Sequence, residues 1–152
     1  MVPDLVIAGP INSEYAQEMI VKAKDNPQIF FTGMLQEDIK WGAFYGCELY
    51  ILPSYQENFG IALVEAMACQ KPVLITKHIN IWREIEKGKS GWVLNELNVE
   101  SLKAKFLEIL QLPDETLLQI GNLANQTFEE KFDVKRCAEK FIKGIEELNN
   151  DK

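Results

Sequence analysis

The sequence predicts an α/β protein, a doubly wound and mainly parallel sheet with helices on both faces. Short apolar runs of strand length alternate with longer stretches of helical period, the order that parallel βαβ units produce. Glycine or proline closes most of the runs, marking turns between elements. Between Leu52 and Thr76 a strand passes through a short polar loop directly into an apolar helix. That places a loop at the carboxyl end of a strand, where such sheets take their ligands.

Leu5 to Gly9 is a continuous apolar run and reads as a strand covered on both faces. Gly9-Pro10 turns the chain, and Ser13 or Asn12 can cap a helix running to about Asp25, with Tyr15, Met19, Ile20 and Ala23 inward. Asn26-Pro27 stops it. Ile29 to Thr32 is a second strand closed by Gly33, and Gln36 to Tyr45 a second helix with Ile39 and Ala43 inward. Leu49 to Pro53 and Val73 to Thr76 are the third and fourth strands, on either side of the apolar helix that begins near Gly60. A short helix over Ile81 to Lys87 and a short strand at Trp92 to Leu94 follow. Three helices end the chain, near Val99 to Leu110, Asp114 to Phe128 and Val134 to Leu148.

Length and composition, with 47% hydrophobic and 26% charged residues, suit one globular domain over residues 1–148 and a frayed polar tail at 149–152. A formal net charge of −7 argues against nucleic acid as a partner, which wants a basic face. Cys47, Cys69 and Cys137 are widely spaced and lack histidines at metal spacing, so they read as reduced thiols of a cytoplasmic protein, Cys69 as a small core residue. No metal or cofactor is expected. No run approaches the ~20 apolar residues of a membrane span, and the N-terminal stretch does not read as a signal peptide.

Two carboxylates dominate the stretch around the third strand. Glu65 lies in a helix apolar on nearly every side, where a charge is costly without a partner. Glu57 stands just before the turn. A hidden ion pair or a capping role explains them structurally; a ligand explains them functionally. The helix opening near Gly60 offers unpaired backbone N–H groups and a partly positive end, suited to phosphate, and Gly60 has no Cβ to keep a ligand away. Capping by Asn58 or Glu57 needs no ligand at all.

The two glutamates separated by seven residues, with F-G after the first and E-A-M-A at the second, resemble the signature of family-four retaining glycosyltransferases. In those enzymes it lies in the Rossmann-like donor-binding, C-terminal half of the GT-B fold. The runs L-V-I-A-G, I-F-F-T-G, E-L-Y-I-L-P-S, K-P-V-L-I-T and R-E-I-E-K-G-K-S-G-W-V-L fall in family order between about residues 5 and 145. The resemblance implies transfer of a hexose-type sugar from a nucleotide-diphosphate sugar to an acceptor, with retention, in polysaccharide or glycoconjugate synthesis. It makes Glu65 a ribose ligand, its two oxygens matched to a vicinal diol. Glu57 becomes the catalytic residue beside the donor sugar. The backbone of Asn58, Phe59, Gly60 and Ile61 would face sugar and phosphate oxygens, and Gly33 with Met34 would meet the base edge. The alternative for Gly33 and Met34 is a plain strand-ending turn. Ser54 would shape the loop and reach a phosphate.

Departures from the family pattern accompany the match. Ile79 and Asn80 replace a usual Gly-Gly pair before Glu84, and their side chains would crowd the sugar pocket. Gln70 replaces a usual glycine at a helix end, at some cost in reaching a left-handed conformation. The family's first strand and helix, with the Arg and Lys that grip the diphosphate, are not among these residues. In the order 3-2-1-4-5-6 that strand is central, so a gap or irregular pairing is expected. The acceptor-binding half is likewise not in the sequence, and attachment at the inner membrane through it is an option the resemblance leaves open, as is a homodimer. His78 reads as a surface or pocket-rim residue and Trp82 as a core aromatic. The competing functions are a noncatalytic nucleotide-sugar-binding or scaffold module and a sugar-nucleotide epimerase-like GT-B domain.

Overall fold

A computed structural model describes residues 3–150 of the chain. The chain divides into two compact units, Met1–Ala43 and Phe44–Lys152.

The first unit is a βαβ motif: strand β1 (Leu5–Ala8), helix α1 (Glu14–Ala23) and strand β2 (Ile29–Gly33). Ser13 caps α1, its hydroxyl accepting from the amide of Ala16 at 3.1 Å. The two strands pair in parallel, Leu5 opposite Ile29, with a register shift between Ile7 and Ala8. The expectation that Leu5 to Gly9 is covered on both faces is not met: Val6 is 55% exposed, and Leu5 and Ile7 are exposed as well. A two-stranded sheet with one helix covers neither face fully, and an open cleft of about 580 Å³, lined among others by Ile7, Phe31, Ala16 and Met19, runs through this unit. Tyr15, expected inward, is also exposed.

The second unit begins within helix α2 (Glu37–Gly46). The inward face of α2 is carried by Phe44, which is buried against Ala66 and Cys69, whereas Ile39 and Ala43 are exposed. Strand β3 (Tyr50–Leu52), helix α3 (Ile61–Ala68), strand β4 (Val73–Thr76), helix α4 (Trp82–Gly88) and strand β5 (Gly91–Leu94) follow. Helices α5 (Val99–Ile109), α6 (Asp114–Lys131) and α7 (Val134–Asn150) complete the unit. The last of these runs two residues into the segment expected to fray; Asp151 and Lys152 lie outside the described residues.

β4 pairs in parallel with β3 on one side and β5 on the other, and all four of its residues are fully buried. Val73 and Ile75 face a core built with Leu63, Met67, Ile85 and Ala124 from α3, α4 and α6. Leu74 points the other way, to Leu94 and Ile109. The alternation of side chains along the strand thus requires helices on both faces, as the continuous apolar run predicts. Among the described residues all the strand pairings are parallel, and the strands form two sheets, β1-β2 and β3-β4-β5.

Helix α6 grips the end of α3. Asn125 Nδ2 donates to the carbonyl of Ala68 at 2.9 Å, satisfying one of the carbonyls a helix leaves open at its C-terminus. Gln70 follows in the left-handed region at φ 59°, the strain foreseen where the family carries glycine. Gly121 of α6 lies directly on the backbone there, and a Cβ at this position would overlap the carbonyl of Gln70. Gly121→Ala is therefore expected to cost about 1–3 kcal/mol through overpacking. Gln70→Gly should add up to about 1 kcal/mol by removing the left-handed penalty, less the entropy of the glycine. Denaturant midpoints of the two single variants against the parent check both signs.

Candidate functional site

The loop between β3 and α3 is held by backbone bonds on one side and by the core on the other. It leaves the carboxyl end of β3, and the buried hydroxyl of Thr76, at the same end of β4, donates to the carbonyl of Ser54 at 2.6 Å. Glu57 forms an isolated parallel bridge with Ile79: its amide donates to the carbonyl of His78 at 3.3 Å, and its carbonyl accepts from Asn80 at 3.2 Å. Phe59, 45% exposed, meets Phe132 edge-on with ring centroids 5.8 Å apart. The hydroxyl of Ser54 is engaged locally, donating to the carbonyl of Gln56 at 2.9 Å and accepting from its amide at 3.2 Å.

Gly60 is the N-cap of α3, buried and left-handed at φ 72°, ψ 64°. No side chain caps the helix there, so neither Asn58 nor Glu57 takes the role that would have explained the turn without a ligand. The first turn of α3 presents its amides past Gly60, with Ile61 exposed and Leu63 buried beneath. Glu57 and Glu65 are both half-buried. The helix is less enclosed than its apolar composition suggests, since Ile61 is 69% exposed.

Tyr50 was not singled out from the sequence, yet it joins the two glutamates electrostatically. Burial pushes its phenol up to about 12, and the charges of Glu65 and Glu57, with Cys47, push the same way. Its ring packs 5.7 Å from that of Phe44. The only advance signal was its position in the E-L-Y-I-L-P-S run, and a strand tyrosine reads first as core. The Cys47 thiol is likewise held above its ordinary value, chiefly by burial, so it is a poor nucleophile.

Ser54, Glu57, Asn58, Phe59, Gly60, Ile61 and Glu65 thus all belong to one unit and one loop-helix junction. Gly33 and Met34 belong to the other unit, at the end of β2, where Gly33 is buried at φ 72° and its carbonyl accepts from the amide of Gly9 at 2.9 Å. Ile79 does not crowd the loop's outer side: its side chain is fully buried in the core, while Asn80 is exposed. His78 is exposed, and Trp82 packs partly against the core. Among the described residues, no group of three or more His, Cys, Asp or Glu stands together to hold a metal, and no helix is long and apolar enough to cross a membrane.

Residues 2–127 match the glycosyl transferases group 1 family, and the chain belongs to it. Among curated relatives, an uncharacterized glycosyltransferase of Methanocaldococcus jannaschii is 32% identical over 104 residues, which are 68% of this chain and 29% of that protein. Among solved structures, sucrose-phosphate synthase of Thermosynechococcus elongatus superposes at a TM-score of 0.78 with 17% identity, covering 98% of this chain and 39% of that one. A mutant of S. aureus TarM, in complex with fondaparinux, alpha-GlcNAc-glycerol and UDP, reaches 0.74 with 21% identity over 92% of this chain and 28% of its own. The structural likenesses establish the fold as that of the GT-B glycosyltransferases. The chain spans less than a third of the length of the curated relative.

Because the phenol of Tyr50 is raised above its ordinary value near 10, the native state keeps a proton that the unfolded chain gives up. The stabilisation is whole below about pH 10 and is lost as pH rises through about 12. Stability should therefore fall over that window, and Tyr50→Phe should flatten the fall. Urea midpoints collected from pH 8 to 12 for both proteins check the sign.

Proposed function

We propose that this chain is the donor-binding part of a retaining glycosyltransferase that uses a nucleotide-diphosphate sugar. The observation that carries it is the turn at Gly60: a left-handed, uncapped helix start set between Glu57 and Glu65 at the carboxyl edge of a parallel sheet. The family membership and the UDP held by TarM, a neighbour of the same fold, support the nucleoside diphosphate as ligand. Glu65 then accepts from the ribose hydroxyls. Glu57, its backbone fixed on both sides, holds the hydroxyls of the donor sugar.

In the transfer, the bond between the anomeric carbon and the diphosphate oxygen breaks, and the acceptor hydroxyl forms the new bond on the same face of the sugar while its proton passes to the leaving diphosphate. Negative charge gathers on the leaving diphosphate. The backbone amides from Asn58 to Ile61 and the positive end of α3 stabilise that charge without reorganising. Ser54 is assigned to shaping the loop.

Glu65→Gln should weaken binding of a nucleoside diphosphate about ten- to a hundredfold, one charge-assisted hydrogen bond being worth about 1.5–3 kcal/mol. Calorimetric titration run beside thermal melts checks it. A variant that melts early yet binds as tightly as the parent while folded would point to a structural carboxylate instead.

The remaining two thirds or more of a relative's length are taken to supply the acceptor site. Residues 1–152 alone should then turn over no labelled nucleotide sugar, whereas a chain completed with an acceptor-binding half should. In that completed enzyme Glu57→Gln is expected to lower kcat more than it raises KM, as an interaction at the reacting centre does. Turnover by the 152 residues alone would overturn this division of labour.

A further inference from the structure

Beside the Glu57 loop stand two cations that the proposed chemistry does not use. Lys77 leaves the carboxyl end of β4, and its amide donates to the carbonyl of Leu94 at 3.1 Å. Arg83 lies in the first turn of α4. Both reach the same indole: Lys77 Nζ is 4.9 Å and Arg83 Cζ 4.5 Å from the ring centroid of Trp82. Trp82 is itself seated against the core, so the aromatic platform is fixed while the two charged ends stay exposed.

The chain carries 23 acidic and 16 basic side chains. Neither Lys77 nor Arg83 enters one of the ion pairs found among the described residues. Glu84, next to Arg83 on α4, is half-buried and pairs with neither. The ring quadrupole offsets part of each charge, and an anion beside them would offset more. The segment that follows Lys77 is the one bonded to Glu57, through His78 and Asn80. The cluster therefore adjoins in sequence the segment that bridges to the residue assigned to the transferred sugar.

We propose that Lys77 and Arg83, braced on Trp82, bind an oxyanion carried by a substrate sugar, a carboxylate or a phosphate. The proposal rests on the donor-site reading for its location, though not for the binding itself. A guanidinium offers a planar fork to two oxygens and an ammonium a point charge, a pair suited to one oxyanion. The anion can sit on the donor sugar or on the acceptor, and the probes separate the two.

The test uses the indole N–H resonance of Trp82, assigned by its loss in Trp82→Phe. The chain is titrated with UDP-glucuronate against UDP-glucose, and with glucose 6-phosphate against glucose. In one pair the anionic member should bind about tenfold more tightly than the neutral one and should shift the Trp82 resonance. Lys77→Ala and Arg83→Ala should each remove most of that difference and leave the neutral member's affinity as in the parent. A gain with the first pair places the oxyanion on the donor, and a gain with the second on the acceptor. Equal binding within both pairs, or a gain that survives both substitutions, overturns the proposal. If neither UDP-sugar binds while glucose 6-phosphate still shifts Trp82, the donor reading with UDP fails and the oxyanion site stands. Both side chains are exposed, so the variants should melt with the parent, and early melting of both would mean that the cations support the fold instead.

Discussion

The hydroxyl of Thr76 is the point where core and site meet. It is fully buried, and a buried hydroxyl left without a partner costs about 1–3 kcal/mol. The carbonyl of Ser54 meets that need at 2.6 Å, which obliges the chain after β3 to fold back across the end of β4. From there the path of the loop follows: Glu57 bridges to Ile79, Phe59 lies on Phe132, and Gly60 takes the left-handed conformation that starts α3. An apolar residue at position 76 would remove the bond that ties the loop's first turn to the end of β4.

The parallel order of elements was legible because each strand is a compact apolar run and each helix has caps or breakers at its ends. Ser13, Asn98 and Pro113 all act at helix starts in the structure. What could not be read was the degree of cover. Leu5 to Ala8 has the composition of a central strand but sits in a two-stranded sheet, because burial depends on neighbours that a local run does not encode. The same holds for α2, whose helical period permits several inward faces; the choice of Phe44 over Ile39 is made by Ala66 and Cys69, far along the chain.

At the site, glycine and glutamate were legible because each is out of place: Gly60 at a helix start, Glu65 in an apolar helix. Tyr50 and Thr76 are at home in any strand and drew no notice. Ile79 misled for a simpler reason. The family comparison raised only its bulk, and bulk matters only once the direction of the side chain is known, which here is inward.

Ile79 belongs at once to the core and to the bridge that carries Glu57. Loops on a protein surface usually breathe without disturbing what lies beneath them. Here the amides of Glu57 and Asn80 can exchange their hydrogens with solvent freely only when the bridge opens, and opening it pulls on a side chain packed with Leu63, Val73 and Ile85. The positioning of the candidate catalytic carboxylate is thereby tied to the packing of the core, so that a change softening the core also loosens the site.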